Sequence, residues 1–165
     1  MYALRCTQRL LRKLDCRDAP DDTAPSTTAL GDWFVREYNF GRYRLLLCTS
    51  SVSLLTVLIP ARNLPQMGIR LAAAVRELLV SMGVPLAQID SEIAAMGSAR
   101  IARTNSRSVL GSMNDMTYLA DAYLDGAVIP DGILAAELRM AEAPCGPIGY
   151  RAPRDIVLAL LGEAR

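Results

Sequence analysis

The sequence predicts a single α+β domain in which a mostly antiparallel sheet of about four to five strands is covered by helices on one side. Its 165 residues fit one domain, and they are 52% hydrophobic and 21% charged, which is typical of a globular protein. The candidate strands follow one another along the chain instead of alternating regularly with helices, which favours antiparallel pairing. We expect residues 1–165 to form one domain, with its core in residues 1–124 and a helical extension in residues 125–165.

The N-terminal quarter is predicted to begin with a strand and a helix. Residues 1–7 fit a short strand, and residues 8–14 fit a helix whose apolar side is rich in leucine. Residues 18–28 form a polar, proline-containing loop. Residues 29–40 are ambiguous, because their aromatic residues fit either a short helix or a strand that enters a turn; we favour the strand.

Residues 45–61 contain no charged side chain. As a helix this stretch would span about 26 Å, the lower limit for crossing a membrane. A polar, turn-forming cluster at residues 49–53 divides the stretch and Pro60 ends it, which favours two core strands joined as a hairpin, at residues 42–49 and 54–59. The N-terminus also lacks the apolar core of a signal peptide, so we predict no membrane contact and a cytoplasmic protein.

The clearest predicted element is a helix that ends at Gly83. Its apolar residues repeat at helical spacing and are Leu71, Val75, Leu78, Leu79 and Met82. Pro85 then opens a second helix, which Gly97 ends.

An edge strand and three more helices are expected in the rest of the chain. Residues 99–104 are predicted to form the strand, and Ser106 or Ser108 can cap a helix that runs to about Leu124. The last two helices are expected at residues 131–141 and 153–161.

Catalysis is the function class that composition restricts most. The chain contains no histidine, which removes the Ser-His-Asp and Cys-His mechanisms and the commonest metal ligand. The cysteines lie too far apart for a Cys-x-x-Cys pair, and they are Cys6, Cys16, Cys48 and Cys145. Glycine-rich phosphate loops are also absent from the sequence. We therefore predict no catalytic residue, no metal site and no cofactor.

A dense polar cluster marks the passage from the predicted edge strand into the following helix. Its arginines and small polar side chains could converge with backbone N–H groups on a phosphate or another anion. The candidate anion-binding residues are Arg103, Asn105, Arg107, Ser108, Asn114 and Asp115. Helix capping explains the same residue types without any ligand, so both interpretations stay open.

Basic residues also crowd the N-terminal segment. The candidate nucleic-acid-binding residues are Arg5, Arg9, Arg12 and Lys13, which would fall on one side of a helix, opposite its leucines. An ordinary solvated surface helix has the same pattern, and a net charge of +1 provides no bulk attraction for nucleic acid.

Four stretches of the sequence together carry a family resemblance. In chain order they are LRCTQRLLRKL, STTALGDWFV, VLIPARN and SRSVLGSMNDM, and RSVLGSMND is the most specific. They resemble a family of small bacterial proteins that is known as a domain of unknown function. The resemblance covers residues 3–124 and implies a bacterial cytoplasmic protein, without an activity or catalytic residues. Members are also similar to a domain joined to plasmid ORF-3-like proteins of mobile elements, which slightly favours a role with nucleic acid.

The sequence leaves three functions open. The leading one is a non-enzymatic binding or regulatory module that contacts an unknown protein partner or forms a homo-oligomer. The second is an accessory protein of mobile elements that binds nucleic acid, which requires the two basic clusters to share one face. The third is an enzyme acting on a phosphorylated small molecule, which requires residues 103–115 to line one concave pocket.

Overall fold

The computed structural model describes residues 1–21 and 24–162. The strands in this part of the chain are β1 Tyr2–Cys6, β2 Trp33–Phe40, β3 Tyr43–Ser50, β4 Thr56–Pro60 and β5 Ala99–Arg103. The α-helices are α1 Gln8–Lys13, α2 Met67–Ser81, α3 Leu86–Ala95, α4 Arg107–Leu124, α5 Ile133–Met140 and α6 Pro153–Leu161. Within the described residues, every helix is too short or too polar to cross a membrane. Of the predicted loop at residues 18–28, residues 22–23 lie outside the described residues.

The strands form one mixed sheet with the order β4-β3-β2-β1-β5. β2, β3 and β4 pair antiparallel, but β1 pairs parallel with both β2 and β5. The prediction of a mostly antiparallel sheet is therefore wrong for the half that contains β1 and β5. The physical reason is that β1 lies between β2 and β5, which both come later in the chain. Connections that contain helices return the chain to the end of the sheet at which β1 begins, so that β2 and β5 run in the same direction as β1.

The uncharged stretch and the ambiguous segment both form strands. Residues 45–61 contribute most of β3 and β4, which pair antiparallel, so the predicted hairpin is confirmed. Residues 33–40 form β2, which confirms the strand interpretation of that segment. β2 and β3 are joined by a tight turn in which Gly41 has a φ of +57°, a conformation that glycine adopts without steric cost.

Helices cover both faces of the sheet, which corrects the expectation of a one-sided helical layer. β2 explains the difference, because Trp33 and Val35 are buried on its first face while Phe34 and Tyr38 are buried on its second face. The core of the first face includes side chains of α1, α2, α3 and α6, and the core of the second face includes side chains of α4 and α5. A strand with apolar side chains at successive positions has to be covered on both faces to remove them from water.

The helices after β4 begin and end where local sequence signals place them. α2 ends shortly before Gly83, which has a φ of +80°, and α3 begins directly after Pro85. Ser106 is the cap of α4, since its Oγ accepts a hydrogen bond from the Val109 backbone N at 3.2 Å.

The two C-terminal helices contribute to the hydrophobic core on both faces of the sheet. α5 contacts α4, β4 and α2, and it places Ala136 and Met140 in the core of the second face. α6 places Val157 and Leu161 in the core of the first face. The predicted division into a core of residues 1–124 and a helical extension of residues 125–165 stays a prediction.

Candidate functional site

The six candidate anion-binding residues around the start of α4 do not converge. Asn114 Oδ1 accepts a hydrogen bond from Arg36 Nη1 at 2.6 Å, whereas Asp115 lines an open depression between α4 and α5. Asn105, Arg107 and Ser108 are exposed. Arg103, the sixth candidate, lines a different pocket beside α1. The structure therefore does not bring these side chains into the single concave site that an enzyme of the third hypothesis requires.

The basic N-terminal residues also separate into different surroundings. Arg5 lies in β1, and its buried side chain donates from Nε to Asp32 Oδ2 at 2.9 Å. Arg9 and Lys13 both lie in α1 and form ion pairs with Glu37, at 3.0 Å and 2.5 Å. Each of these three basic side chains therefore already contacts a carboxylate of the protein itself.

Arg12 takes part in a pocket that unites the two predicted basic clusters. The pocket has a volume of about 300 Å³ and is lined by Gln8, Leu11, Arg12, Arg17 and Arg103. We call it the basic pocket. Of the five described residues that line it, three are arginines, and they come from α1, from the loop that follows it and from the end of β5.

The position of the basic pocket in the sheet is one at which ligands commonly bind. β1 and β5 are adjacent and parallel, and the pocket is lined by residues at or just after their carboxyl ends. α1 leaves β1 toward the first face of the sheet, whereas α4 leaves β5 toward the second face. In open α/β sheets, such a divergence of connections creates a crevice at the carboxyl ends of the strands, and that crevice is the usual ligand site.

A network of backbone contacts fixes the shape of the basic pocket. The Arg103 backbone N donates to the Pro20 carbonyl oxygen at 2.9 Å, and Arg103 Nη2 donates to the Arg17 carbonyl oxygen at 2.8 Å. Arg5 Nη1 donates to the carbonyl oxygens of Asp21 and Arg103, at 2.8 Å and 3.0 Å. Arg5 therefore ties the loop after α1 to the end of β5, and its position is structural.

The electrostatics of the basic pocket favour an anion. Arg12 and Arg17 are exposed, and among the described residues no acidic side chain lines the pocket. A neighbouring depression shares Arg17 but is lined by Asp15 and Asp18. Guanidinium groups are planar donors that match phosphate and carboxylate oxygens with pairs of N–H···O bonds. The three arginines therefore give the basic pocket a positively charged lining that would attract an anion.

Cys6, Cys48 and Cys145 are not activated nucleophiles. Burial, and secondarily the nearby Cys16, raises the pKa of Cys6 to about 12. Burial also raises the pKa of Cys48 and of Cys145 above the ordinary value of a thiol. These thiols stay protonated at neutral pH, and a protonated thiol is a poor nucleophile.

Two polar residues that line the basic pocket, Gln8 and Arg17, are not among the candidates from the sequence, and neither is the apolar Leu11. Arg17 belongs to the basic N-terminal segment, but it lies beyond α1 and so does not fall on the helical face that indicated the candidates. Gln8 lacks a charge and carries no sequence signal. The parallel pairing of β1 with β5 places both residues beside Arg103, and no local pattern reveals that pairing.

Comparison with known proteins identifies a family. A search of the curated proteins found no match. A family model described as Domain of unknown function (DUF6933) matches residues 3–156, which is most of the chain. The predicted resemblance to an uncharacterised family is thereby confirmed, while the similarity to mobile-element proteins stays a prediction. The chain therefore belongs to the family described as Domain of unknown function (DUF6933).

Proposed function

We propose that this chain is a non-enzymatic binding module whose basic pocket takes a phosphate-bearing ligand. The observation that carries the proposal is the convergence of Arg12, Arg17 and Arg103, from three separate segments, on one pocket that no described acidic side chain lines. Phosphate suits the pocket better than a carboxylate, because it carries more charge and more acceptor oxygens for several guanidinium groups.

The size of the basic pocket favours a small phosphorylated molecule or a single terminal phosphate. Its volume of about 300 Å³ lies at the lower end of the range for small-molecule sites. A long nucleic-acid backbone needs an extended basic surface, and in this chain Arg5 is buried while Arg9 and Lys13 already pair with Glu37. Partner proteins, a homo-oligomer and a cytoplasmic location stay predictions.

Calorimetric titration tests the proposal. Inorganic pyrophosphate is titrated into the wild-type protein, and a single-stranded oligonucleotide with and without a 5′-phosphate is titrated separately. We expect Arg12→Gln and Arg17→Gln each to weaken pyrophosphate binding about tenfold, because each removes one charge-assisted contact in a partly solvated site. Arg76→Gln is the matched control, since Arg76 lies on α2 outside the pocket.

The outcomes separate the two sources of phosphate. Stronger binding of pyrophosphate than of either oligonucleotide supports a small ligand, whereas preference for the phosphorylated oligonucleotide supports a nucleic-acid end. Absence of binding by both probes at millimolar concentration overturns the proposal. Equal effects of Arg12→Gln and Arg76→Gln would also overturn it.

A further inference from the structure

A second cavity lies at the opposite edge of the sheet from the basic pocket. It has a volume of about 580 Å³ and opens beside β4, between α2 and α5. We call it the edge cavity. Much of its wall is apolar and includes Leu58, Ile59, Ala73, Ala74, Ile133 and Leu134.

Glu137 is a buried acid that lines the edge cavity. Only 4% of its surface is exposed, and within the described chain its Oε2 atom is buried without a hydrogen-bond partner. An unpartnered carboxyl oxygen in the interior is costly, and such groups are rare in folded proteins. Burial, with a smaller contribution from Glu77, raises the pKa of Glu137 well above its ordinary value.

Arg70 contributes a second set of unpartnered atoms to the same cavity. Its Nη1 donates to the Asn63 carbonyl oxygen at 3.2 Å, which orients the guanidinium group. Its Nε and Nη2 are buried, and neither has a hydrogen-bond partner among the described residues. These two nitrogens form the side of the guanidinium that binds a carboxylate through two parallel N–H···O bonds. Burial, and then the neighbouring Arg62, lowers the pKa of Arg70 from its ordinary value.

Arg70 and Glu137 do not hydrogen-bond to each other, although both line the edge cavity. The cavity thus combines a donor pair that lacks an anion with an acceptor that lacks a donor. A molecule that carries a carboxylate and an ammonium group would satisfy both, and the apolar wall would cover a hydrocarbon side chain.

We propose that the edge cavity binds a small zwitterion with an apolar side chain, namely a free amino acid or a short peptide. Its carboxylate lies against Arg70, and its ammonium group lies against Glu137. The exposed charges at the mouth are Glu77 on α2, Arg62 in the loop between β4 and α2, and Asp131 in the loop before α5. This site shares no described lining residue with the basic pocket, so binding at the two sites can be tested separately.

Ligands that lack one charge test the proposal on the unmodified protein. Leucine, leucylleucine, N-acetylleucine and leucinamide are titrated calorimetrically into the wild-type chain. We expect leucine or leucylleucine to bind at least about tenfold more tightly than N-acetylleucine, which has no ammonium group, and than leucinamide, which has no carboxylate. The tighter of the two zwitterions distinguishes a free amino acid from a peptide as the natural class.

Two variants assign the charges to their residues. In Arg70→Gln the preference for leucine over leucinamide should disappear, and in Glu137→Gln the preference over N-acetylleucine should disappear. Arg76→Gln, on the same helix but outside the cavity, should keep both preferences. The proposal is overturned if folded wild-type protein binds neither zwitterion at millimolar concentration, or if it binds all four probes equally. Should a variant fail to fold, the wild-type comparison still decides.

Discussion

Replacing Asp32 by alanine should destabilise the fold by about 3 kcal/mol. Asp32 Oδ2 accepts a hydrogen bond from Arg5 Nε at 2.9 Å, and Oδ1 accepts one from the Ala3 backbone N at the same distance. The two side chains are only 6% and 14% exposed. Removing one partner of a buried pair costs about 3–5 kcal/mol, because the charge that stays in the interior loses that ion pair. The carbonyl oxygens that Arg5 also contacts compensate in part, which places the expected value at the lower end.

Urea unfolding followed by tryptophan fluorescence measures this effect. Trp33 is the only tryptophan in the chain, it is fully buried, and it follows Asp32 directly. With a slope of about 2 kcal/mol per molar urea, a loss of 3 kcal/mol moves the midpoint down by about 1.5 M. Arg76→Gln breaks an exposed ion pair with Asp90 and should cost less than about 1 kcal/mol. A midpoint for the Asp32 variant no lower than that of the control would refute the reasoning.

Three further predictions concern backbone conformation, thiol reactivity and pH. Gly31→Ala should cost more than about 2 kcal/mol in urea unfolding, because φ is +76° and the new Cβ would lie 2.5 Å from Ser51 Oγ; a loss below 1 kcal/mol would contradict this. Alkylation of the native protein at neutral pH should modify the partly exposed Cys16 well before Cys6, because burial raises the pKa of Cys6. Peptide mass mapping follows the modification of each cysteine, and equal alkylation rates at Cys16 and Cys6 would disprove the difference. The pKa of Glu137 is raised in the folded state, so its contribution to stability is present below the ordinary value of 4.5 and is lost as pH rises through the folded pKa. Glu137→Gln should therefore reduce the decline of Tm with rising pH. An unchanged decline in this variant would count against the buried acid.

Local signals explain which parts of the fold could be predicted from the sequence. The end of α2 depends on Gly83 and the start of α3 on Pro85, and each residue acts on its immediate neighbours. The hairpin of β3 and β4 likewise depends on one uncharged stretch with a polar turn. Such features need no knowledge of distant contacts.

The parallel half of the sheet could not be predicted because it joins distant segments. Tyr2 pairs with Ala99, and Leu4 pairs with both Trp33 and Ile101. Parallel pairing leaves no turn signature between the two strands, since a long crossover connects them. The covering of both faces does have a signal in the sequence: the residues of β3 from position 45 to 48 are all apolar, which is typical of a strand buried on both sides.

The candidate site was predicted in part. Arg12 and Arg103 were both candidates, and the structure places them in one pocket. Helical spacing places Arg5 on the same side as Arg12, but Arg5 belongs to β1. Side chains of a strand alternate between its two faces, and the side chain of Arg5 contacts Asp32. Glu137 resembles an ordinary solvated acid of a helix in the sequence; its burial results from packing of α5 against β4 and α2.

Binding of an anion in the basic pocket can be followed residue by residue in a nuclear magnetic resonance titration with inorganic phosphate. If the basic pocket binds an anion, the backbone amide signals of Gln8, Arg12, Arg17 and Arg103 should shift together and saturate along one binding curve. The side-chain Nε signals of the three arginines should move with them. Signals from α3, which lies outside the pocket, should stay in place. Shifts that are scattered over the surface, or that rise linearly without saturation, would contradict a specific anion site.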